Sequence, residues 1–234
     1  MKKRGTSEKK ILIICSKGQL RKFLTKNLKL DKKKYKIYFS HNYKLRFLDF
    51  KQQISIVDKL SPNLIINCSG FTNVDQAETN KKTAKNLNYQ CVKYLSKYCQ
   101  KNNIILIHFS TDYVFSGRAN FYEPHHKCAP TNYYGYTKYL GEKEIKKLKF
   151  KYYIFRISWL LSSNKFSFLK KIKRKIQSKK KINVIYDSFS YPTTVIFINK
   201  FLQNNMNSFF TKNNIGIYHL VNPVSLSFYQ LAKI

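Results

Sequence analysis

Acidic side chains are scarce in this sequence. Among 234 residues, 11 Asp and Glu stand against 45 Lys and Arg, a formal net charge of +34. A field of that sign attracts nucleic acid, anionic membranes and anionic metabolites alike. The basic residues are nonetheless spread through every segment, with only modest runs at Lys32–Lys34, Lys170–Lys175 and Lys179–Lys181. No nucleic-acid reader motif accompanies them, so nucleic-acid binding is not expected as the primary function. The charge suits an anionic substrate and identifies none. Long apolar runs are missing too: none approaches the ~20 residues that cross a bilayer, and no membrane span is expected. The basic start leads into Ile11-Leu12-Ile13-Ile14-Cys15. That run falls short of the roughly 7–15 residues of a signal core and lacks a small-residue cleavage site. It reads as a buried first strand, and the protein as cytoplasmic. The five cysteines, at 15, 68, 91, 99 and 128, are odd in number and form no C-x-x-C pair. This argues against a disulfide framework and against zinc. His125-His126, near Cys128, has no second ligand cluster beside it and reads as loop; no metal is expected.

What is present is a core-sized apolar fraction of 43% and a regular alternation of short apolar runs with helical stretches. Lys10–Cys15 reads as a strand, Gly18 to about Leu30 as an opening turn and helix, Tyr35–Ser40 as a strand and Ile54–Leu60 as a helix. Leu64–Cys68 is a third strand, Thr79–Asn102 one long helix, and Ile104–Phe109 a near-continuous apolar strand of the kind covered on both faces. A loop over Ser116–Tyr133 precedes a helix over about Tyr134–Lys147 and a strand over Tyr152–Ile157. Beyond lie a basic helix near Phe166–Gln177, strands at Ile182–Tyr186 and Gly216–Leu220, and a helix beginning near Ser227. Repeated β-α-β units imply an α/β, Rossmann-like, doubly wound parallel sheet. Residues 10–160 form the nucleotide-binding domain; 161–234 form a small, partial substrate-binding region interleaved with it.

Glycine is rare where a dinucleotide fold most uses it. The turn after the first strand reads Cys15-Ser16-Lys17-Gly18-Gln19-Leu20-Arg21, and only the middle glycine of a G-x-x-G-x-x-G template, Gly18, is present. A pyrophosphate binds such a turn through backbone N–H groups and the helix dipole. Cys15 and Arg21 add bulk there, while Lys17 and Arg21 offer direct phosphate contacts. By itself the segment is a weak signal, and an ordinary strand–turn–helix without ligand remains open. After the second strand, Ser40-His41-Asn42 carries no acid for the ribose hydroxyls, and Lys44 and Arg46 follow; this favours NADPH over NADH.

The densest chemistry is Ser110-Thr111-Asp112-Tyr113-Val114-Phe115, followed by Tyr134-Gly135-Tyr136-Thr137-Lys138. Tyr134 and Lys138 share a helix face. Lowering a phenol by ~3 pH units needs about 4 kcal/mol, roughly what one ammonium at ~4 Å supplies at an effective dielectric near 20. Ser110 or Thr111, at a strand end, could hold a substrate oxygen. A bare Y-x-x-x-K arises by chance in a chain with 18 tyrosines; the strand, the S-T-D-Y-V-F run and the proline-bearing loop set this pair apart.

With Pro62–Cys68, Thr72–Glu78, Ser110–Phe115, Pro130–Lys138, Gly141-Glu142, Phe155–Trp159, Asp187–Thr193 and Gly216–Leu220 in order, the chain resembles the dTDP-4-dehydrorhamnose reductase family. This is an extended branch of the short-chain dehydrogenase/reductases. The resemblance implies hydride delivery from NADPH, with NADH as the substitute, to the C4 ketone of a dTDP-4-keto-6-deoxy sugar. It implies that Tyr134 donates the proton, that Lys138 lowers the tyrosine pKa and holds the nicotinamide ribose, and that Thr111 orients the carbonyl. Cofactor contacts are implied at Lys17, Gly18, Gln19, Leu20, Asp49, Phe50, Cys68, Ser69, Gly70 and Thr72. Substrate contacts are implied at Val74, Thr111, Tyr113 and Trp159, although Trp159 taken alone reads as core packing. A homodimer is compatible with the family. Two departures, the missing glycines at Cys15 and Arg21 and a chain short of the family norm, keep open a silent relative serving as a regulatory or nucleotide-binding subunit. Another sugar-nucleotide epimerase or reductase also remains open.

Overall fold

The computed structural model describes residues 8–15, 18–51, 53–119, 121–162, 168–178 and 183–233. The first half runs β1 (Lys9–Ile14), α1 (Gln19–Asn27), β2 (Tyr35–Phe39), α2 (Ile54–Leu60), β3 (Leu64–Asn67), α3 (Val74–Thr79), α4 (Lys81–Lys85), α5 (Cys91–Lys101) and β4 (Ile105–Thr111). Then come α6 (Tyr133–Lys146), β5 (Tyr152–Ile157), β6 (Leu160–Leu161), α7 (Phe168–Gln177), β7 (Phe189–Ser190), β8 (Thr193–Thr194), α8 (Val195–Thr211), β9 (Gly216–His219), β10 (Leu226–Ser227) and α9 (Phe228–Lys233). Six strands form one sheet in the order β2-β1-β3-β4-β5-β9, and every pairing in it is parallel. Chain direction across the sheet reverses between β1 and β3, and a crevice opens at the carboxyl ends of strands at such a switch point.

The period of two along β1 decides which helices cover which face. Ile11 and Ile13 pack on one side with Leu20 and Leu24 of α1 and Ile198, Leu202 and Met206 of α8. Leu12 and Ile14 pack on the other with Val57 of α2, Val92 and Leu95 of α5 and Ile145 of α6. All four β1 side chains are fully buried, and each such burial is worth about 1.5–3 kcal/mol. Beyond residue 160, α8 and β9 belong to this same sheet and core. The other short strands pair as β6 with β8 and β7 with β10.

Three expectations need correction. The single helix over Thr79–Asn102 is interrupted: α3 ends at Thr79, and Asn86–Gln90 form a π-turn between α4 and α5. No strand forms over 183–186, where Ile185 and Tyr186 are exposed and have no sheet neighbour; Ile182 lies outside the described residues. The seventeen-residue α8 was not anticipated, although its buried residues Val195, Ile198, Asn199, Leu202, Met206 and Phe209 recur at helical spacing.

One buried ion pair ties three segments together. Arg156 of β5 donates Nε to Glu142 Oε1 at 3.0 Å and Nη2 to Oε2 at 2.7 Å, a bidentate contact with α6. Its Nη1 also donates to the Pro124 carbonyl at 3.0 Å, and its Nη2 to the Cys128 sulfur at 3.2 Å. The guanidinium lies 4.8 Å from the centre of the Phe115 ring. The loop after β4 is thus fastened to the strand and helix behind the site. Removing one partner of a buried pair strands the other charge, whereas removing both costs far less. Glu142→Leu should lower unfolding free energy by about 3–5 kcal/mol in urea denaturation. The double variant Glu142→Leu/Arg156→Met should recover more than half of that loss.

Candidate active site

The site forms where β3 and β4 end beneath the first turns of α6. Asn132 caps α6, its Oδ1 accepting the Gly135 N–H at 2.8 Å, and the helix therefore starts one residue before Tyr134. Gly135 is there for close approach: a Cβ at that position would lie 2.1 Å from the Tyr113 carbonyl oxygen. A Cβ on Gly141 would lie 2.4 Å from the Asn88 carbonyl oxygen in the π-turn. Asn88, buried at 1% exposure, exchanges hydrogen bonds with the Phe71 backbone (2.8 and 3.0 Å) and donates to Thr137 Oγ1 at 3.1 Å. Thr137 in turn donates to the Tyr134 carbonyl at 2.8 Å. The glycines and the threonine of the Tyr134–Glu142 segment therefore each have a packing cause.

Thr111, Tyr134 and Lys138 are all buried together at this edge. Thr111 Oγ1 donates to Asp112 Oδ1 at 3.1 Å and accepts the Tyr113 N–H at 3.3 Å. Asp112 Oδ2 accepts from Ser190 at 2.9 Å, and Ser190 is hydrogen-bonded to Ser158. Burial raises the Asp112 pKa and these hydroxyls oppose the rise. Burial is also the largest influence on Tyr134 and pushes its pKa up, with the facing Thr111 hydroxyl acting the other way. Expected depression of the phenol by Lys138 is therefore not what dominates here. The amine of Lys138 donates to the Phe109 carbonyl at 2.6 Å and lies 3.4 Å from His108 Nε2. Burial brings its pKa down to about 8, against the opposing charges of Glu142 and Cys68.

Around this group the remaining candidates divide. Tyr113 meets the Tyr134 ring edge-on at 5.8 Å, and Val74 packs in the same cluster. Trp159 is half-buried and stacked on Phe228 at 3.6 Å, close enough to Tyr113 to lower its pKa against the larger rise from burial. Thr72 is exposed. Cys68 sits close enough to Lys138 and Cys15 to feel their charges. Ser69 and Ser110, at the ends of neighbouring strands, have buried hydroxyls without hydrogen-bond partners among the described residues. Gly70 is crowded: a Cβ there would lie 2.9 Å from Asn88 Oδ1 and 3.8 Å from Lys138 Nζ.

At the other lip, Gly18 opens α1 with clear space around it. The first N–H groups of a helix have no intrahelical acceptors and face outward. Gln19 reaches across to Ser162, whereas Leu20 is a core side chain and offers only its backbone. Lys17 lies outside the described residues. Cys15 turns its side chain into the core beside α1, and its N–H donates to Ser40 Oγ at 3.2 Å. Burial raises the Cys15 pKa to about 11 and lowers that of His41, and the charge of Arg21 reaches both, opposing the first shift and adding to the second; this puts a cation near the ends of β1 and β2. Asp49 is paired with Arg46 at 2.7 Å. Phe50 is a core residue against Phe47 and Tyr98, so only its backbone is left for a ligand. Asn67, Asn88, His108 and Asp112 belong to the site and were absent from the sequence candidates; only Asp112, inside the S-T-D-Y-V-F run, carried a signal. Away from the site, exposed Glu123, His125 and His126 bring ligand atoms within 4.8 Å of one another.

A family model described as the RmlD substrate binding domain matches residues 9–234. The dTDP-4-dehydrorhamnose reductase of Aggregatibacter actinomycetemcomitans is 30% identical over 226 residues, covering 95% of this chain and 76% of that protein. The Shigella flexneri protein of the same name is 34% identical over 167 residues, covering 70% of this chain and 56% of its own length. Among solved structures, the Bacillus anthracis dTDP-4-dehydrorhamnose reductase in complex with NADP is similar with a TM-score of 0.87 at 32% identity. That likeness covers 97% of this chain and 79% of the other.

A buried ammonium costs folding energy. Lys138 falls from the usual 10.5 to about 8 on folding, so between those values the unfolded chain binds the extra proton and stability from this group rises with pH. Its cost is fully present below about pH 8. Lys138→Met should therefore raise the melting temperature at pH 7, and thermal scans should show that advantage shrinking as pH climbs towards 10.

Proposed function

Because the chain belongs to the dTDP-4-dehydrorhamnose reductase family, we propose that it reduces the C4 ketone of a dTDP-4-keto-6-deoxy sugar. NADPH, when bound, supplies the hydride. The observation that carries this reading is the burial of Tyr134, Thr111 and Lys138 as one group at the switch-point edge of the sheet. Burial keeps the Tyr134 phenol protonated, as a proton donor to a nascent alkoxide must be. Thr111, buried beside Tyr134 and hydrogen-bonded to Asp112, is the hydroxyl that orients the carbonyl. Lys138 supplies the nearby positive charge that a tyrosinate would need.

The fit of a dinucleotide phosphate rests on three features. Gly18 leaves the α1 N-terminus open, Cys15 packs inward and does not fill the turn, and the Ser69 and Ser110 hydroxyls await partners. Arg21 and Lys44 offer charge for a ribose 2′-phosphate, which supports NADPH over NADH. A cytoplasmic setting belongs to the same reading. Among the described residues no helix is long and apolar enough to cross a membrane.

Nicotinamide fluorescence and steady-state rates test this. NADPH should bind, and its oxidation should depend on the keto sugar. Tyr134→Phe should lower kcat by roughly 10²–10⁴ with NADPH affinity retained. Arg21→Glu should weaken NADPH about tenfold or more while affecting NADH less. Absence of NADPH binding at millimolar cofactor would overturn the proposal.

A further inference from the structure

His108 is fully buried in the middle of the sheet and has no part in the chemistry above. Its two ring nitrogens nonetheless sit in a chain of polar contacts that ends on Lys138. Asn67 and His108 are register partners on β3 and β4. Asn67 Nδ2 lies 3.1 Å from His108 Nδ1, while Asn67 Oδ1 accepts the Ser69 N–H at 3.0 Å. That backbone donor fixes which way the amide points. An amide NH2 can only donate, so Nδ1 must carry its lone pair, and a neutral imidazole then keeps its proton on Nε2. This N–H is aimed at Lys138 Nζ, 3.4 Å away. A second ring proton would find no acceptor on Asn67, and burial together with the Lys138 charge holds the ring's pKa well below the ordinary histidine value.

We propose that His108 is a positioning residue of the Tyr134–Lys138 pair: held as its Nε2–H tautomer by Asn67 and the Ser69 amide, it presses Nζ towards the Phe109 carbonyl and makes Lys138 release its proton more readily. An N–H dipole facing an ammonium disfavours the charge, whereas a neutral amine accepts that N–H with its lone pair. Among the described residues, the other groups that act on the Lys138 charge are Glu142 and Cys68. Glu142, already paired with Arg156, and Cys68 at the end of β3 favour the ammonium; burial opposes it. Tyr134 stands one turn earlier on α6. When Tyr134 gives its proton to the substrate oxygen, the ammonium of Lys138 loses one proton to restore the phenol. The resulting amine accepts the His108 N–H until solvent returns a proton to it.

Only the kinetic half of the test rests on the reductase reading. In full-length protein labelled with 15N-histidine, long-range proton–nitrogen spectra should show His108 neutral and Nε2-protonated from pH 5 to 9, with the signal assigned by its loss in His108→Gln. A proton on Nδ1, or a second proton gained in that range, overturns the proposal. In Asn67→Asp the carboxylate can accept from Nδ1, and the spectrum should switch to the Nδ1–H tautomer; no switch also overturns it. In kinetics, the alkaline limb of the kcat profile should lie near pH 8 in the parent protein and move up by about one unit in His108→Gln, whose carbonyl accepts from Nζ. A folded variant with an unmoved limb rejects the role. Absence of turnover in the parent rejects the reductase reading, and the spectra then still decide the tautomer.

Discussion

The close approach of α6 to the ends of β3 and β4 is the constraint on which the site depends. Gly135 and Gly141 are the two positions where a side chain would collide with backbone oxygens, one on Tyr113 and one in the π-turn at Asn88. Because backbone blocks both positions, no rotamer change relieves the contact. The helix is therefore seated by shape, and the face carrying Tyr134 and Lys138 is aimed before any ligand arrives. Asn88 completes the arrangement by fastening the strand-end loop at Phe71 to Thr137 on the same helix. The π-turn is the local irregularity that brings Asn88 to that point, in keeping with the frequent placement of such turns at functional sites.

Behind this frame, the interior handles charge in two ways. Arg156 and Glu142 are both nearly inaccessible and compensate one another with paired hydrogen bonds. Among the described residues no carboxylate is bonded to Lys138; a backbone carbonyl and a histidine face its amine instead. The first solution favours permanence and suits a structural tie. The second leaves a group whose protonation is close to balanced near neutral pH, which suits a group that must exchange protons.

Much of this was legible in the sequence. The strand over Tyr152–Ile157 and the helix over Ile54–Leu60 match residue for residue, because apolar periodicity is strong there and flanking breakers are clear. Thr111, Tyr134 and Lys138 come together because a motif and a helix spacing agree. Less legible was anything that depends on partners distant in the chain. Ile182–Tyr186 alternates like a strand, but alternation cannot tell whether a sheet edge waits beside it. The Thr79–Asn102 pattern has no marker for a π-turn, whose Asn88 finds its partner at Phe71, seventeen residues back in the chain. The start of α8, Val195-Ile196-Phe197-Ile198, is rich in β-branched and aromatic residues that favour strand, and the capping hydrogen bond of Thr194 with the packing on α1 overrides them. His108 looked like one polar residue in an apolar strand, and only register shows that Asn67 stands beside it.

Placement of α8 and β9 has a consequence for how the chain reaches this state. One entire face of β1 is covered by α1 together with α8, and Gln203 of α8 hydrogen-bonds to the Lys29 carbonyl across 174 residues. The last strand of the main sheet, β9, pairs with β5 only after α8 has crossed over. Such distant pairings make loop closure costly and slow collapse. During synthesis the helices α2, α5 and α6 can close one side of the sheet while the other stays open to water. Until α8 and β9 are in place that face is only partly covered, so they are the elements that finish the core.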